Sequence, residues 1–130
     1  MQGHNGNRNT GLKRLIKATK YSYHGFKACF KAEEAFRQET YLTVILLPLG
    51  LWLGNGLAEK GLLAGVMFIV LIVELLNSAI ERAIDRISFA RHDLSKEAKD
   101  MGSTAVLVSV LFAALIWALI GLPRLYQVIA

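Results

Sequence analysis

Hydrophobic and polar positions fall along this chain in long blocks rather than in short alternation. Residues 40–58 carry no charge, residues 61–80 carry only Glu74, and residues 101–122 carry none. Each run approaches the ~20 mainly apolar residues that a helix needs to cross a bilayer. A chain of 130 residues has too little remaining mass to hide three such helices inside a soluble core. The pattern predicts an all-α integral membrane protein with three transmembrane helices, at about residues 35–54, 60–82 and 101–122.

Ahead of the first span the period changes. Leu12, Leu15, Ile16, Tyr23, Phe26 and Phe30 form one apolar stripe, with Lys13, Lys17, Lys20, Lys27 and Lys31 beside it. This predicts a basic amphipathic surface helix over about residues 12–31, lying in the membrane interface, with Gly25 as a point of bending. Residues 1–11 are polar and rich in Gly and Asn and read as disordered. Residues 12–125 then form a single membrane domain, and residues 126–130 a C-terminal tail. Pro48 is expected to kink the first span, and Ser95 or Asp93 to cap the helix that leads into the third.

Composition agrees: 54% of residues are hydrophobic and mean hydropathy is +0.40. The net charge of +5 is distributed unevenly. Eight Lys/Arg precede the first span and five (Arg82, Arg86, Arg91, Lys96, Lys99) lie between the second and third, against Lys60 in the first connection and Arg124 after the third. The positive-inside rule places the N-terminus and the second loop in the cytoplasm and the C-terminus on the periplasmic side. The basic excess is thus topological, and no nucleic-acid partner is expected. No secretory signal is visible, since the first apolar run begins near Tyr41. The single cysteine, Cys29, excludes an internal disulfide and a cysteine-rich metal site. His4, His24 and His92 lack ligand-like spacing and read as solvated or capping residues. Trp52, Trp117 and Tyr41 read as packing or interface anchors, and Gly61 and Gly65 as points of close helix approach.

The candidate chemistry lies on the second span. At about 100° per residue, Glu74, Asn77, Ser78, Glu81 and Asp85 share one narrow helical stripe. A carboxylate inside the bilayer edge costs roughly 2.5–3.5 kcal/mol on insertion scales and marks a functional site by default. Glu81 lies about 10 Å along the helix from Glu74, at 1.5 Å per residue, so a membrane-held reagent could meet Glu74 while a water-soluble one meets the outer acids. Arg82 and Asp85 are spaced for an i,i+3 ion pair. Three spans cannot enclose Glu74 and a substrate, so an oligomer with interfacial sites is expected. For phosphoryl transfer, Glu33 and Glu81 offer oxygen ligands to magnesium, Arg14 and Lys99 offer positive charge, and Glu74 offers a base. No P-loop, G-x-G-x-x-G, H-R-D or D-F-G signature is present. A non-enzymatic role in assembly or in an ion pathway would use the same acids.

The blocks Glu33-Glu34-Ala35-Phe36-Arg37-Gln38-Glu39, Val73-Glu74-Leu75-Leu76-Asn77-Ser78-Ala79-Ile80-Glu81 with Asp85-Arg86-Ile87, and Ala98-Lys99-Asp100-Met101-Gly102-Ser103 closely resemble the bacterial diacylglycerol kinases. The resemblance runs in order and spacing over about residues 11–121, and its E-x-x-N-[ST]-A-x-E core is specific. It implies a homotrimer of three-span subunits in the bacterial inner membrane, with composite sites at the cytoplasmic surface. The implied reaction moves the γ-phosphate of MgATP to diacylglycerol, giving phosphatidic acid in phospholipid recycling. Carried over, Glu74 is the base, and Glu33 with Glu81 holds Mg2+. Arg14, Tyr21, Asn77, Arg91, His92, Lys99 and Asp100 attend ATP, while Arg14, Lys17, Phe36, Gln38, Glu39, Glu74 and Ser103 attend the lipid. The chain departs from the family at Ala90-Arg91-His92, where Glu-Tyr-His is frequent, at Tyr23 in place of Trp, and in its longer tail. A related undecaprenol kinase shares the Glu-Asn-Glu core, but residues 36–39 and 100–103 look more like the diacylglycerol type.

Overall fold

The computed structural model describes residues 11–130, so the reading of residues 1–10 as disordered lies outside it. Every regular element among the described residues is helical: α1 Gly11–Ala32, α2 Glu34–Leu53, α3 Leu57–Ile87, α4 Asp93–Ile116, a π-helical turn Trp117–Gly121, and α5 Leu122–Ile129. The all-helical expectation holds. Residues Asp93–Ile129 form one continuous rod of 37 residues, and this rod and α3 are the two helices long and apolar enough to cross a membrane. Helix α2 falls short because its first turns carry Glu34, Arg37, Gln38 and Glu39. The uncharged stretch within it, residues 40–53, is about 21 Å long at 1.5 Å per residue.

Helix α1 runs unbroken through Gly25, around which there is open space. It ends at Glu33, whose extended backbone (φ −114°, ψ 111°) separates it from α2. The Arg37 guanidinium turns back and donates to the carbonyls of Phe30 and Lys31, both at 2.9 Å. It satisfies two acceptors that the end of a helix leaves open and sets a cation against the negative end of the α1 dipole. Phe26 stacks with Phe30 and meets Phe36 edge-on, with ring centroids 5.8 and 5.2 Å apart, and Phe36 is wholly buried in this corner.

A glycine turn joins α2 to α3. Gly56 adopts φ +84°, the only positive φ among the described residues and a value that side chains disfavour. Glu59 accepts from the Asn55 N–H at 3.1 Å, and the Lys60 ammonium donates to the Leu51 carbonyl. Pro48 lies inside α2 without ending it. At the start of α4 the cap is His92, where Ser95 or Asp93 was expected. Because the helix begins at Asp93, the residue just before it has the non-helical backbone a cap requires, and its Nδ1 accepts from the Leu94 N–H at 3.1 Å. The chain stays helical beyond residue 122, through a π turn followed by Pro123, which cannot donate to the ladder.

Helices α2, α3 and α4 pack around Val66, Met67, Val70 and Ala113, with Leu46, Ile116 and Trp117 against them. Gly50 brings α2 close to Leu63 and Trp117. Large apolar residues elsewhere on α3 and α4, including Phe68, Ile72, Leu76, Leu107, Leu111 and Leu115, are exposed. Apolar surface of this extent is rarely left to water.

Candidate active site

The polar stripe of α3 is met by α1, α2 and α4. Glu74 and Ser78 are 7% and 5% exposed. From α1, the Cys29 thiol donates to the Ser78 hydroxyl at 3.5 Å, and the Ala28 carbonyl accepts from Arg82 at 3.4 Å. Burial pushes the Cys29 thiol above its ordinary pKa, opposed by its bond to Ser78, so it remains a neutral thiol. Glu33 and Glu74 both lie within electrostatic reach of that thiol. From α2, the Glu39 carboxyl lies beside Glu74.

One to two turns further along, α4 closes over the stripe. Asn77 donates from Nδ2 to Glu81 Oε1 at 3.5 Å, and Gly102 lies against its carbonyl end. The Lys99 ammonium meets Asp85 Oδ1 at 2.8 Å. Its pKa is raised, first by the hydrogen bond to Asp85 and also by the fields of Asp85 and Glu81, so it is a permanent cation here. The expected partnership of Arg82 with Asp85 therefore gives way to Lys99. The ammonium arrives from α4, while Arg82 sits on the α1 side of the helix.

Two cavities lie near the two ends of this stripe, one taking in Asp85 and the other reaching Glu39. One, of about 320 Å³, is polar and is lined by Asp85, Arg91, His92, Lys96, Lys99 and Asp100 among others. The other, of about 360 Å³, is an apolar groove that runs from Gln38 and Glu39 past Leu42, Leu46 and Val70 to Trp117. Glu39 Oε2 and Trp117 Nε1, within that groove, are buried without a hydrogen-bond partner, as is Asn77 Oδ1. Buried polar atoms are normally satisfied, so an unsatisfied one calls for a reason.

The structure thus gathers Glu39, Glu74, Asn77, Glu81, Lys99 and Asp85 into one column. Arg91, His92 and Asp100 stand beside its outer end, and Gln38 beside its inner end. Asp100 pairs with Lys96 at 2.7 Å on the rim. Arg14, Lys17 and Tyr21 stand exposed on α1, and Ser103 on α4, outside both cavities. Phe36 is core packing within this chain. Among the described residues no three His, Cys, Asp or Glu gather as a closed metal cage. Glu33 and Glu81 are hard oxygen donors and suit Mg2+, which keeps several waters and is commonly held by one or two carboxylates plus substrate phosphates. The pairs Cys29–Ser78 and Lys99–Asp85, 49 and 14 residues apart, left no local signal in the sequence.

A family model described as prokaryotic diacylglycerol kinase matches residues 20–121. The chain is 50% identical over 111 residues to the diacylglycerol kinase of Pseudomonas aeruginosa, covering 85% of this chain and 90% of that one. It is 45% identical over 108 residues to that of Haemophilus influenzae, covering 83% and 92%. Identity to that of Escherichia coli strain K12 is 42% over 114 residues, covering 88% and 93%.

Proposed function

Since the chain belongs to the prokaryotic diacylglycerol kinase family, we propose that it is a lipid kinase that transfers the γ-phosphate of MgATP to the hydroxyl of diacylglycerol, giving phosphatidic acid. The observation that carries this reading is the buried carboxylate Glu74 on a stripe that has an apolar groove near one end and a polar cleft at the other. On one side it neighbours Glu39, which lines the apolar groove; two turns along, the same helix presents Glu81 to Lys99 of the polar cleft. An acceptor with a long apolar body and a hydroxyl at one end fits the first cavity. A water-soluble polyanion fits the second.

Glu74 takes the proton as the acceptor oxygen bonds to the γ-phosphorus and ADP departs. Burial by Cys29, Ser78 and the neighbouring helices shields this step from water. Lys99 supplies positive charge to the phosphates, held by Asp85 at the mouth of the cleft. Arg91, His92 and Asp100 flank the nucleotide, while Arg14 and Tyr21 reach it from α1. Gln38, Glu39 and Ser103 attend the lipid, with Lys17 and Phe36 on the approach. Glu33 and Glu81 would hold Mg2+, which would supply positive charge to the phosphates.

This reading places three spans in the bacterial inner membrane: α2, α3 and the Asp93–Ile129 rod, with α1 on the cytoplasmic surface. Asymmetry in Lys and Arg supports a cytoplasmic N-terminus and active site and a periplasmic C-terminus. Exposed apolar faces on α3 and α4 support a homotrimer, in which copies cover what lipid does not.

The test is γ-phosphate transfer from radiolabelled MgATP in mixed micelles, offering diacylglycerol and undecaprenol separately. Transfer to diacylglycerol that falls by about 10²-fold or more in Glu74→Gln, with the protein still assembled, supports kinase and base. Preference for undecaprenol would overturn the substrate, and no transfer to either would overturn the enzyme reading.

A further inference from the structure

The stripe's amide, Asn77, has an unusual neighbour. Its Oδ1 is buried without a partner, while its Nδ2 donates to Glu81. What faces that oxygen is Gly102 of α4, in a helix otherwise of bulkier residues. A Cβ at Gly102 would collide with Asn77 Oδ1 and lie 3.2 Å from Asn77 Cγ. No other residue type leaves room for the amide in its present orientation. The nearest approach Gly102 can offer the oxygen is its own Cα–H, a weak donor.

We infer that Gly102 is a positioning residue: the space left by its missing side chain holds the Asn77 amide with its nitrogen toward Glu81, and so fixes the Glu81 carboxylate in the nucleotide site. The colliding atom is the far end of a side chain that is not branched at Cβ, so Gly102→Ala is accommodated by rotation of Asn77 rather than by parting α3 from α4. That rotation removes the Nδ2 bond to Glu81 at little cost to folding. Glu81 then loses the hydrogen bond from Asn77 and keeps the field of Lys99. Residues that orient a metal-binding carboxylate typically change metal affinity or activity by about 10–100-fold.

This inference rests on the assignment of Asn77 and Glu81 to the nucleotide site, and a double-mutant cycle separates the two. Gly102→Ala, Asn77→Ala and the double variant of the full chain would be compared by thermal unfolding and by KM for MgATP against kcat. Binding of Mn2+ with a non-hydrolysable ATP analogue, read by electron paramagnetic resonance, adds a measurement independent of turnover. We expect Gly102→Ala to raise KM and weaken Mn2+ binding by about tenfold with an unchanged unfolding midpoint. In the Asn77→Ala background the same change should alter both by less than about twofold, because the colliding group is gone. Equal effects of Gly102→Ala in both backgrounds would overturn the inference while leaving the site assignment intact. Unaltered KM and Mn2+ binding in Asn77→Ala would overturn the assignment of Asn77, and the inference with it. If Gly102→Ala failed to fold, recovery of folding in the double variant would sustain the steric contact, and failure of both would overturn it.

Discussion

The same chemical change, Gly to Ala, should have opposite signs at two positions of this chain. At Gly50 a new Cβ would lie 2.9 Å from Leu63 Cβ, about 0.6 Å inside the ~3.5 Å at which carbon atoms first rest against each other. The Trp117 ring would be 3.3 Å away and the Leu63 backbone carbon 3.4 Å. None of these atoms is the free end of a flexible side chain, and Leu63 is wholly buried. Relief therefore requires α2 and α3 to move apart, an overpacking cost of about 1–3 kcal/mol. Helix propensity offsets about 1 kcal/mol of that, leaving a net loss of about 1 kcal/mol with an upper bound near 2. At Gly25 a Cβ meets nothing, and Ala should stabilise α1 by about 0.5–1 kcal/mol. The two variants should thus differ by about 2 kcal/mol. Unfolding of the purified protein in mixed alkyl-maltoside and SDS micelles, followed by near-ultraviolet circular dichroism, measures this difference. Shifts that agree within about 0.5 kcal/mol would refute the close approach of α2 to α3 at Gly50.

Other outcomes test other parts of the molecule. Phe36→Ala removes a wholly buried ring from the α1–α2 corner and should cost about 3–5 kcal/mol in the same unfolding measurement. Arg124 grips Glu59 with two bonds of 2.9 Å, and chiefly through them holds the Glu59 carboxyl down at about 2, from an ordinary 4.5. A depressed carboxyl stabilises above its unfolded pKa and loses that contribution as pH falls through its folded one. The stability difference between the native chain and Glu59→Gln should therefore be constant from pH 7 to 5 and vanish between pH 4.5 and 2. Lys99→Met should raise KM for MgATP about tenfold or more without moving the unfolding midpoint, as measured by initial rates. Chelation with EDTA should abolish phosphate transfer, and added Mg2+ should restore it, in the micelle assay.

Patterning along the chain determined a good deal. Long apolar runs enforce helices in a bilayer, because an unpaired backbone group costs too much there. The 3.6-residue period alone places Glu74, Asn77, Ser78, Glu81 and Asp85 on one stripe of α3. Charge asymmetry supplies an orientation. These are properties of sequence neighbours or of sums over segments, and they need no knowledge of what packs where.

What the stripe faces is a different matter. Local spacing pointed Asp85 to Arg82, yet Asp85 bonds Lys99 from another helix, while Arg82 reaches the Ala28 carbonyl 54 residues away. Local chemistry favoured Ser95 or Asp93 as a cap, yet the register of α4 gives that place to His92. Contact between Glu39 and Glu74, the buried pairing of Cys29 with Ser78, and the close fits at Gly50 and Gly102 arise only when rigid helices cross at particular points. Which side chains meet there depends on the rotation and depth of each helix. Those follow from the packing of the whole bundle, since helix–helix contacts in a membrane are selected by shape and hydrogen bonding rather than by hydrophobicity.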